Sequence, residues 1–395
     1  MADERGRGFT TRAIHGAKAP PVDQETPSVP IYQTSTYRFA DSDDYAETIG
    51  FRKPGYTYTR GYGNPTLQAF ESVMADLEGT EAAFSFASGM AAIHTVFTTL
   101  AAVGDRIVAS NELYGGAYAL CAKVMPRYGI AVDLVDPHDL DAVAAALPGA
   151  AFFYVETIAN PNVTVADLEA LGALCRAQGV TAVVDNTFAS PYLCNPARFG
   201  FAHVLHSATK FIGGHNDLIG GVVCTTGSGA EALRDTVIDT GGTMAPLEAW
   251  LCMRGLVTLS LRMERHGRSA SAIAACLDGH EKVDRVWYPA LASHPQHDVA
   301  DRILPRGSGG VLGVEVAGGV EGGKRFCDAL DLVWVATSVG GAHSLASHAA
   351  STTHRQMDPA ARRRAGIADG LVRVSVGLED EDDLLDDVAR ALEKV

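Results

Sequence analysis

A lysine among small and hydroxylated residues, Lys210 in HSATKFIGG (206–214), follows the apolar, strand-like segment His203-Val204-Leu205. Desolvation there would lower the amine's pKa and free its lone pair for covalent chemistry, whereas a surface lysine at a strand end is the plainer reading of the residue alone. Ser207 and Thr209 place two hydroxyls beside it. Ser88-Gly89-Met90, after the run AAFSFA, opens a helix whose backbone N–H groups would suit a phosphate, and a simple helix start explains it as well. Asp185, after TAVV, puts a carboxylate at another strand end, where a ligand role and a turn or cap both stay open.

The elements that must position these residues come from hydrophobic period. Apolar runs at 82–88, 106–110, 131–136, 150–156, 181–187, 203–208 and 218–226 predict strands, and helical patterns at 138–147 and 165–179 fill gaps between them. Such alternation is the mark of an α/β domain with a mostly parallel sheet, whose ligands bind beyond the carboxyl ends of the strands. Asn64-Pro65 as N-cap and N1, the stripe Leu67, Phe70, Met74 and Leu77, and Gly79 as the stop predict a helix ahead of the first strand. After a helical stretch at about 245–279 the pattern changes to strands separated by long loops, clearest at 310–318 and 371–377, before a C-terminal helix. The chain therefore reads as an N-terminal arm (1–60) without a core of its own, a large domain (61–255) and a smaller C-terminal domain (256–395).

Composition narrows the function. With 395 residues, 47% apolar and 20% charged, the chain can bury a sizeable core. A net charge of −15, from 32 basic against 47 acidic residues, argues against a nucleic-acid surface. No run of about 18 apolar residues predicts a membrane span, and the N-terminal residues lack the apolar stretch of a signal peptide. Seven scattered cysteines without a CxxC indicate neither a disulfide framework nor a zinc site, so a reducing cytoplasm is expected. The pairs His203/His206 and His294/His297 have metal-like spacing, yet an offset of three puts strand side chains on opposite faces and the second pair lies in a proline-containing loop; no metal is expected.

A phosphate cradle, a strand-end carboxylate and a lysine together suit pyridoxal 5'-phosphate: the lysine forms a Schiff base, the carboxylate keeps the pyridine nitrogen protonated and the cradle holds the phosphate. YTYTRGYGNPT (56–66), FASGMAAI (86–93), ELYGG (112–116), YVETIANP (154–161), VVDNTFASP (183–191), HSATKFIGGH (206–215) and VRVSVGLED (372–380) occur in order along the chain. Together they resemble the Cys/Met-metabolism family of PLP enzymes, which includes methionine γ-lyase, cystathionine γ-lyase, cystathionine γ-synthase and O-acylhomoserine sulfhydrylase. The resemblance implies the PLP-dependent transferase fold of type I, with helices on both faces of the sheet and a smaller α+β C-terminal domain. It makes Lys210 the Schiff-base lysine, Asp185 the partner of the pyridine nitrogen, and Tyr114 a ring stacked on the cofactor and a proton donor to the leaving group. Ser88, Gly89, Met90, Ser207 and Thr209 become the phosphate cradle, with Tyr58 and Arg60 supplied by a neighbouring subunit. Arg373, with Asn160 and Ser338 near it, would bind the substrate's α-carboxylate, and Glu156 would be structural. A homotetramer of paired dimers with shared sites follows from the same resemblance.

The implied activity is γ-elimination or γ-replacement on a sulfur-containing or O-acylated homoserine-type amino acid, most like the conversion of L-methionine to 2-oxobutanoate, ammonia and methanethiol. Some positions depart from the family's patterns. Gly116 replaces a cysteine common in methionine γ-lyases, Thr337 precedes Ser338 where many cystathionine enzymes have Glu, and His343 and Ala349 stand for a usual Glu and Pro. Ser351-Thr352-Thr353-His354 is closer to the sulfhydrylases. A sulfhydrylase, a cystathionine enzyme and a specialised pathway enzyme stay open. An aminotransferase or a non-catalytic PLP-binding protein are the alternatives of another class.

Overall fold

The structure, a computed structural model, describes residues 7–17, 26–353, 355, 362 and 366–395. Its larger sheet holds β1 (Ala82–Phe86), β2 (Arg106–Ser110), β3 (Ala131–Val135), β4 (Phe152–Glu156), β5 (Thr181–Asp185), β6 (His203–His206) and β7 (Gly221–Thr225) in the order β1-β7-β6-β5-β4-β2-β3. Only β7 runs antiparallel to its neighbours, so the sheet is mostly parallel. Its central strands are buried on both faces, as their nearly continuous apolar sequence requires.

The period of two along each strand divides those faces. Phe153, Val184, Val204 and Val222 join one core with Phe70, Val73, Met74 and Leu77 of α1 (Pro65–Glu78). Phe152, Val183, Leu205 and Val223 join the other with Ile93, Val96 and Phe97 of α2 (Gly89–Leu100). Helices thus cover both faces. The start and stop of α1 follow the sequence: the Asn64 side chain accepts from Thr66 N–H, Pro65 opens the first turn, and Gly79 ends it at φ 75.

The second sheet, in the order β10-β11-β12-β9-β8, contains β8 (Val283–Trp287), β9 (Val311–Val316), β10 (Trp334–Val335), β11 (Leu345–His348) and β12 (Leu371–Ser375). The long helix α3 (Leu259–Leu277) joins the two parts. Its Leu259 and Met263 lie in the large core, and Ile273, Ala274 and Leu277 lie in the core of the smaller sheet. The smaller sheet is also covered by α4 (Gly319–Ala329) and α5 (Glu381–Leu392). The sequence suggests long loops where α4 stands, because Gly322 and Gly323 weaken its helical signal. Both glycines are places of close approach: a Cβ at 322 would collide with the Ala317 carbonyl, and one at 323 would lie 2.5 Å from the His348 ring.

The N-terminal arm departs from expectation in part. Phe9–His15 forms a helix whose Phe9 and Ala13 are buried in the large core, with the Phe9 ring edge-on to Tyr192. Pro20 and Pro21, two of the arm's prolines, lie outside the described residues. No helix among the described residues is long and apolar enough to cross a membrane.

Candidate functional site

Lys210 stands in the turn that leaves β6, where its N–H donates to the Ser207 carbonyl at 3.1 Å. Its neighbour's carbonyl, that of Phe211, accepts from buried Arg262 on α3 at 2.7 Å. The Lys210 Nζ donates to the Ser338 hydroxyl at 2.9 Å. Burial, and secondarily the positive charge of Arg373, pulls this amine down to about 8. About a tenth of it is therefore neutral at pH 7, far more than of a solvated lysine.

Ser338 is held at φ 95, a left-handed conformation that an L side chain rarely adopts and that costs about 1–3 kcal/mol. Its surroundings fix it: its carbonyl accepts from Arg373 Nη2 at 3.1 Å, and Gly340 N–H donates to the Ser375 hydroxyl at 3.1 Å. Arg373, on β12, is only 7% exposed and donates through Nη1 to Asn160 Oδ1 at 2.9 Å. Burial pulls its guanidinium down to about 10, so it remains a cation at neutral pH. Its Nε is buried without a hydrogen-bond partner, which leaves a donor for an anionic ligand.

Glu156, at the end of β4, accepts from Tyr114 N–H at 2.6 Å and from Asn160 N–H at 3.1 Å. It thereby clamps two loops of the site, the structural part that the sequence assigns to it. Burial, followed by the charge of Asp185, raises its carboxyl well above the usual range. Asp185, at the end of β5, accepts from Thr187 N–H at 2.9 Å, so the turn allowed by the sequence does form. Its carboxyl is also raised by burial, against the Thr187 hydrogen bonds and the His206 charge, which lower it.

Ser88 caps α2 by accepting from Ala91 N–H at 3.1 Å, leaving the N–H groups of Gly89 and Met90 without partners inside the helix. A Cβ on Gly89 would lie 2.9 Å from that of Ser207, so only glycine lets the helix start come this close to the end of β6. The Thr209 hydroxyl is engaged with both the N–H and the carbonyl of Gly220, at 3.0 and 3.2 Å. A neutralisable lysine, a carboxylate on the adjacent strand and a free helix N-terminus pressed against Ser207 fit pyridoxal phosphate in the chemistry of their donors.

Tyr114 is half exposed, and its phenol lies near enough to Arg373 to favour that cation. A Cβ at Gly116 would sit 2.6 Å from the Tyr114 ring and 2.9 Å from the Met90 sulfur. A cysteine there would have to displace the tyrosine. Arg60 lies on the turn Thr59–Tyr62 and Tyr58 is the extended residue just before it; Arg60 donates to the Ile238 carbonyl of the helix Gly227–Thr240 and covers the Tyr58 ring at 5.7 Å. Arg60 thus reaches that helix, while Tyr58 is tied to Thr36 through an antiparallel bridge and accepts from Tyr62 N–H at 3.0 Å. Thr337 and His343 are exposed, His343 stacking on Trp334 at 4.4 Å, while Ala349 is buried. His354 lies outside the described residues.

Two further groups at the site have no counterpart in the sequence reading: Arg262, and Glu78 at the end of α1, which pairs with His206 at 2.6 Å. A signal for Glu78 was present, since an acid in the last turn of a helix opposes the helix dipole. Both histidine pairs make hydrogen bonds of the frame: His203 bonds Thr225, and His294 and His297 bond the carbonyls of Val163 and Pro289. No group of side chains suited to a metal ion occurs among the described residues.

The sequence model of the Cys/Met metabolism PLP-dependent enzymes matches residues 10–393. An L-methionine gamma-lyase of Pseudomonas putida is 41% identical over 392 residues, covering 98% of this chain and 97% of the relative. An O-succinylhomoserine sulfhydrylase of Pseudomonas aeruginosa is 38% identical over 392 residues, covering 99% and 96%. A Campylobacter jejuni protein whose solved structure carries N'-pyridoxyl-lysine-5'-monophosphate is similar with a TM-score of 0.94 at 30% identity, over 98% of this chain and 100% of that one.

Proposed function

We propose, from the premise that this chain belongs to the Cys/Met-metabolism family of PLP-dependent enzymes, that it catalyses γ-elimination on a short sulfur amino acid, most like a methionine γ-lyase. The observation that carries the chemistry is the Lys210–Ser338–Arg373–Asn160 constellation beside Asp185. Pyridoxal phosphate, when bound, supplies an electron sink for charge developing at the substrate's α-carbon. Lys210 would hold it covalently, Asp185 would face its ring nitrogen, and Gly89, Met90, Ser88, Ser207 and Thr209 would hold its phosphate. Tyr58 and Arg60 would complete that phosphate site from a second subunit of a homotetramer.

Arg373, cationic and preorganised by Asn160 and the Ser338 carbonyl, would bind the α-carboxylate through charge-assisted hydrogen bonds. Lys210 Nζ, with its lowered pKa and the Ser338 hydroxyl to aim it, would take the α-proton and later move a β-proton. Tyr114 would give a proton to the departing sulfur. The seven free cysteines support a reducing cytoplasm as the site of action.

The choice of substrate rests on Thr337 and His343. Cystathionine carries a second ammonium at its far end, and neither position offers it a carboxylate. The sulfhydrylase reading retains support from the Pseudomonas aeruginosa relative. Specificity constants for L-methionine, L-homocysteine, L-cystathionine and O-acetyl-L-homoserine, the last with and without sulfide, test the assignment. Methionine or homocysteine should lead. A clear preference for cystathionine overturns the substrate assignment, and activity confined to O-acetyl-L-homoserine plus sulfide replaces elimination by replacement.

A further inference from the structure

Beneath the site, on the α1 face of the large sheet, one buried carboxylate gathers polar groups from several strand ends. The Glu78 side chain is 0% exposed; its Oε1 lies 2.6 Å from His206 Nε2 and accepts from Asn186 Nδ2 at 3.0 Å. Its Oε2 accepts from Asn195 Nδ2 at 3.4 Å. Asn186 in turn accepts from the Thr157 hydroxyl at 2.8 Å. Thr157 follows Glu156 at the end of β4, Asn186 follows Asp185 at the end of β5, and His206 ends β6 and begins the turn to Lys210.

We propose that Glu78 is a positioning residue: through Asn186 and His206 it ties the ends of β4, β5 and β6 together from below and so sets where Asp185 and Lys210 stand relative to the cofactor. The inference rests on the cofactor part of the functional reading and is independent of the substrate.

The geometry separates this role from direct contact. Leu205 packs with Val183 on the α2 face, so the alternation of strand side chains puts His206 on the α1 face, across the sheet from Asp185. His206 therefore acts on Asp185 through space and through the backbone, and its charge favours the Asp185 carboxylate. An ordinary stabilising ion pair is a weak explanation of the cluster. A carboxylate in the last turn of a helix opposes the helix dipole, buried pairs give uncertain stability, and His206 Nδ1 is itself buried without a partner.

The test uses the full-length protein as apoprotein and holoenzyme, with Glu78→Gln replacing the carboxyl at constant shape and Glu78→Gln/His206→Gln replacing both members of the pair. Pyridoxal phosphate is titrated into each apoprotein, the visible band of the bound cofactor is recorded, and thermal unfolding of the apoprotein is measured separately. Glu78→Gln should weaken cofactor binding by about tenfold or more, the scale seen when a partner behind a ligating residue is lost, shift the visible band, and lower kcat with little change in KM. The double variant should recover apoprotein stability without recovering affinity or the band, and it supplies the same readings if the single variant fails to fold. Wild-type affinity and an unmoved band in both variants, whatever their stability, overturn the inference and leave the functional reading intact. An absence of cofactor uptake by the wild-type apoprotein overturns the functional reading, and this inference with it.

Discussion

The two walls of the site are built differently. On the large sheet, Lys210 and Asp185 leave the ends of β6 and β5, and the residues behind them are buried and cross-bonded: Glu78 to His206 and Asn186, Asn186 to Thr157, and Glu156 to two loops. On the small sheet, Ser338 sits strained at φ 95, Thr337 and His343 face solvent, and Trp334 is 54% exposed. Arg373 is the exception on that side, since it is buried and reaches across to Asn160. The contrast assigns bond-making to the wall whose groups cannot move and substrate choice to the wall whose side chains are free to vary.

The sharpest way to break this contrast is to remove the amine of the rigid wall. Lys210→Ala should leave a folded protein with turnover reduced by about a thousandfold or more, since among the described residues Lys210 is the amine placed to hold the cofactor and move the proton. Circular dichroism and steady-state assays check this, and retention of most activity would place the chemistry elsewhere. Mixing it with Arg60→Ala should restore some activity if sites are shared between subunits; no recovery despite subunit exchange favours a site within one chain.

Arg373→Lys probes a buried group that crosses between the walls. Losing the forked donor should lower kcat/KM by about ten- to hundredfold, the equivalent of one charge-assisted contact of roughly 1.5–3 kcal/mol, mostly through KM. A fall confined to kcat would instead make Arg373 part of the proton-moving machinery.

The lowered pKa of Lys210 gives a pH signature for the rigid wall. Because its folded value is depressed to about 8, the reactive neutral amine appears as pH rises through that value. Capture of pyridoxal phosphate by the apoprotein should therefore accelerate about tenfold between pH 7 and pH 9 and then level off, as the neutral fraction does. A rate still climbing steeply above pH 10 would mean an undisturbed lysine.

The smallest effect should come from the exposed wall. Thr337→Glu restores an acid where a distal ammonium would approach, but exposure screens it, so the preference for cystathionine over methionine should rise by about two- to fivefold. A large fall in turnover instead would show that the two walls are not separable.

Much of this frame was legible beforehand because strand and helix periods are local. The runs at 106–110 and 181–187 became β2 and β5, and Lys210 and Asp185 stand at strand ends as their sequence position implies. The helix at 319–329 was not legible, because two of the residues on its buried face are glycines required by close packing, which are poor helix formers and carry no apolar side chain. Glu78 offered a faint local signal, an acid at the wrong end of a helix, without naming its partner.

By itself, then, the sequence determined most of the strands and helices, the helix at 319–329 excepted, together with the faces they bury and the chemical groups at their ends, since each of these depends on neighbours a few residues away. The tertiary structure alone decided which of those groups meet. Lys210 and Ser338 are 128 residues apart, Arg373 and Asn160 are 213 apart, and Glu78 and His206 are 128 apart. Such pairs are fixed by strand order and by the docking of one sheet against another, and a period of two or 3.6 residues reports that a face is buried without saying what buries it.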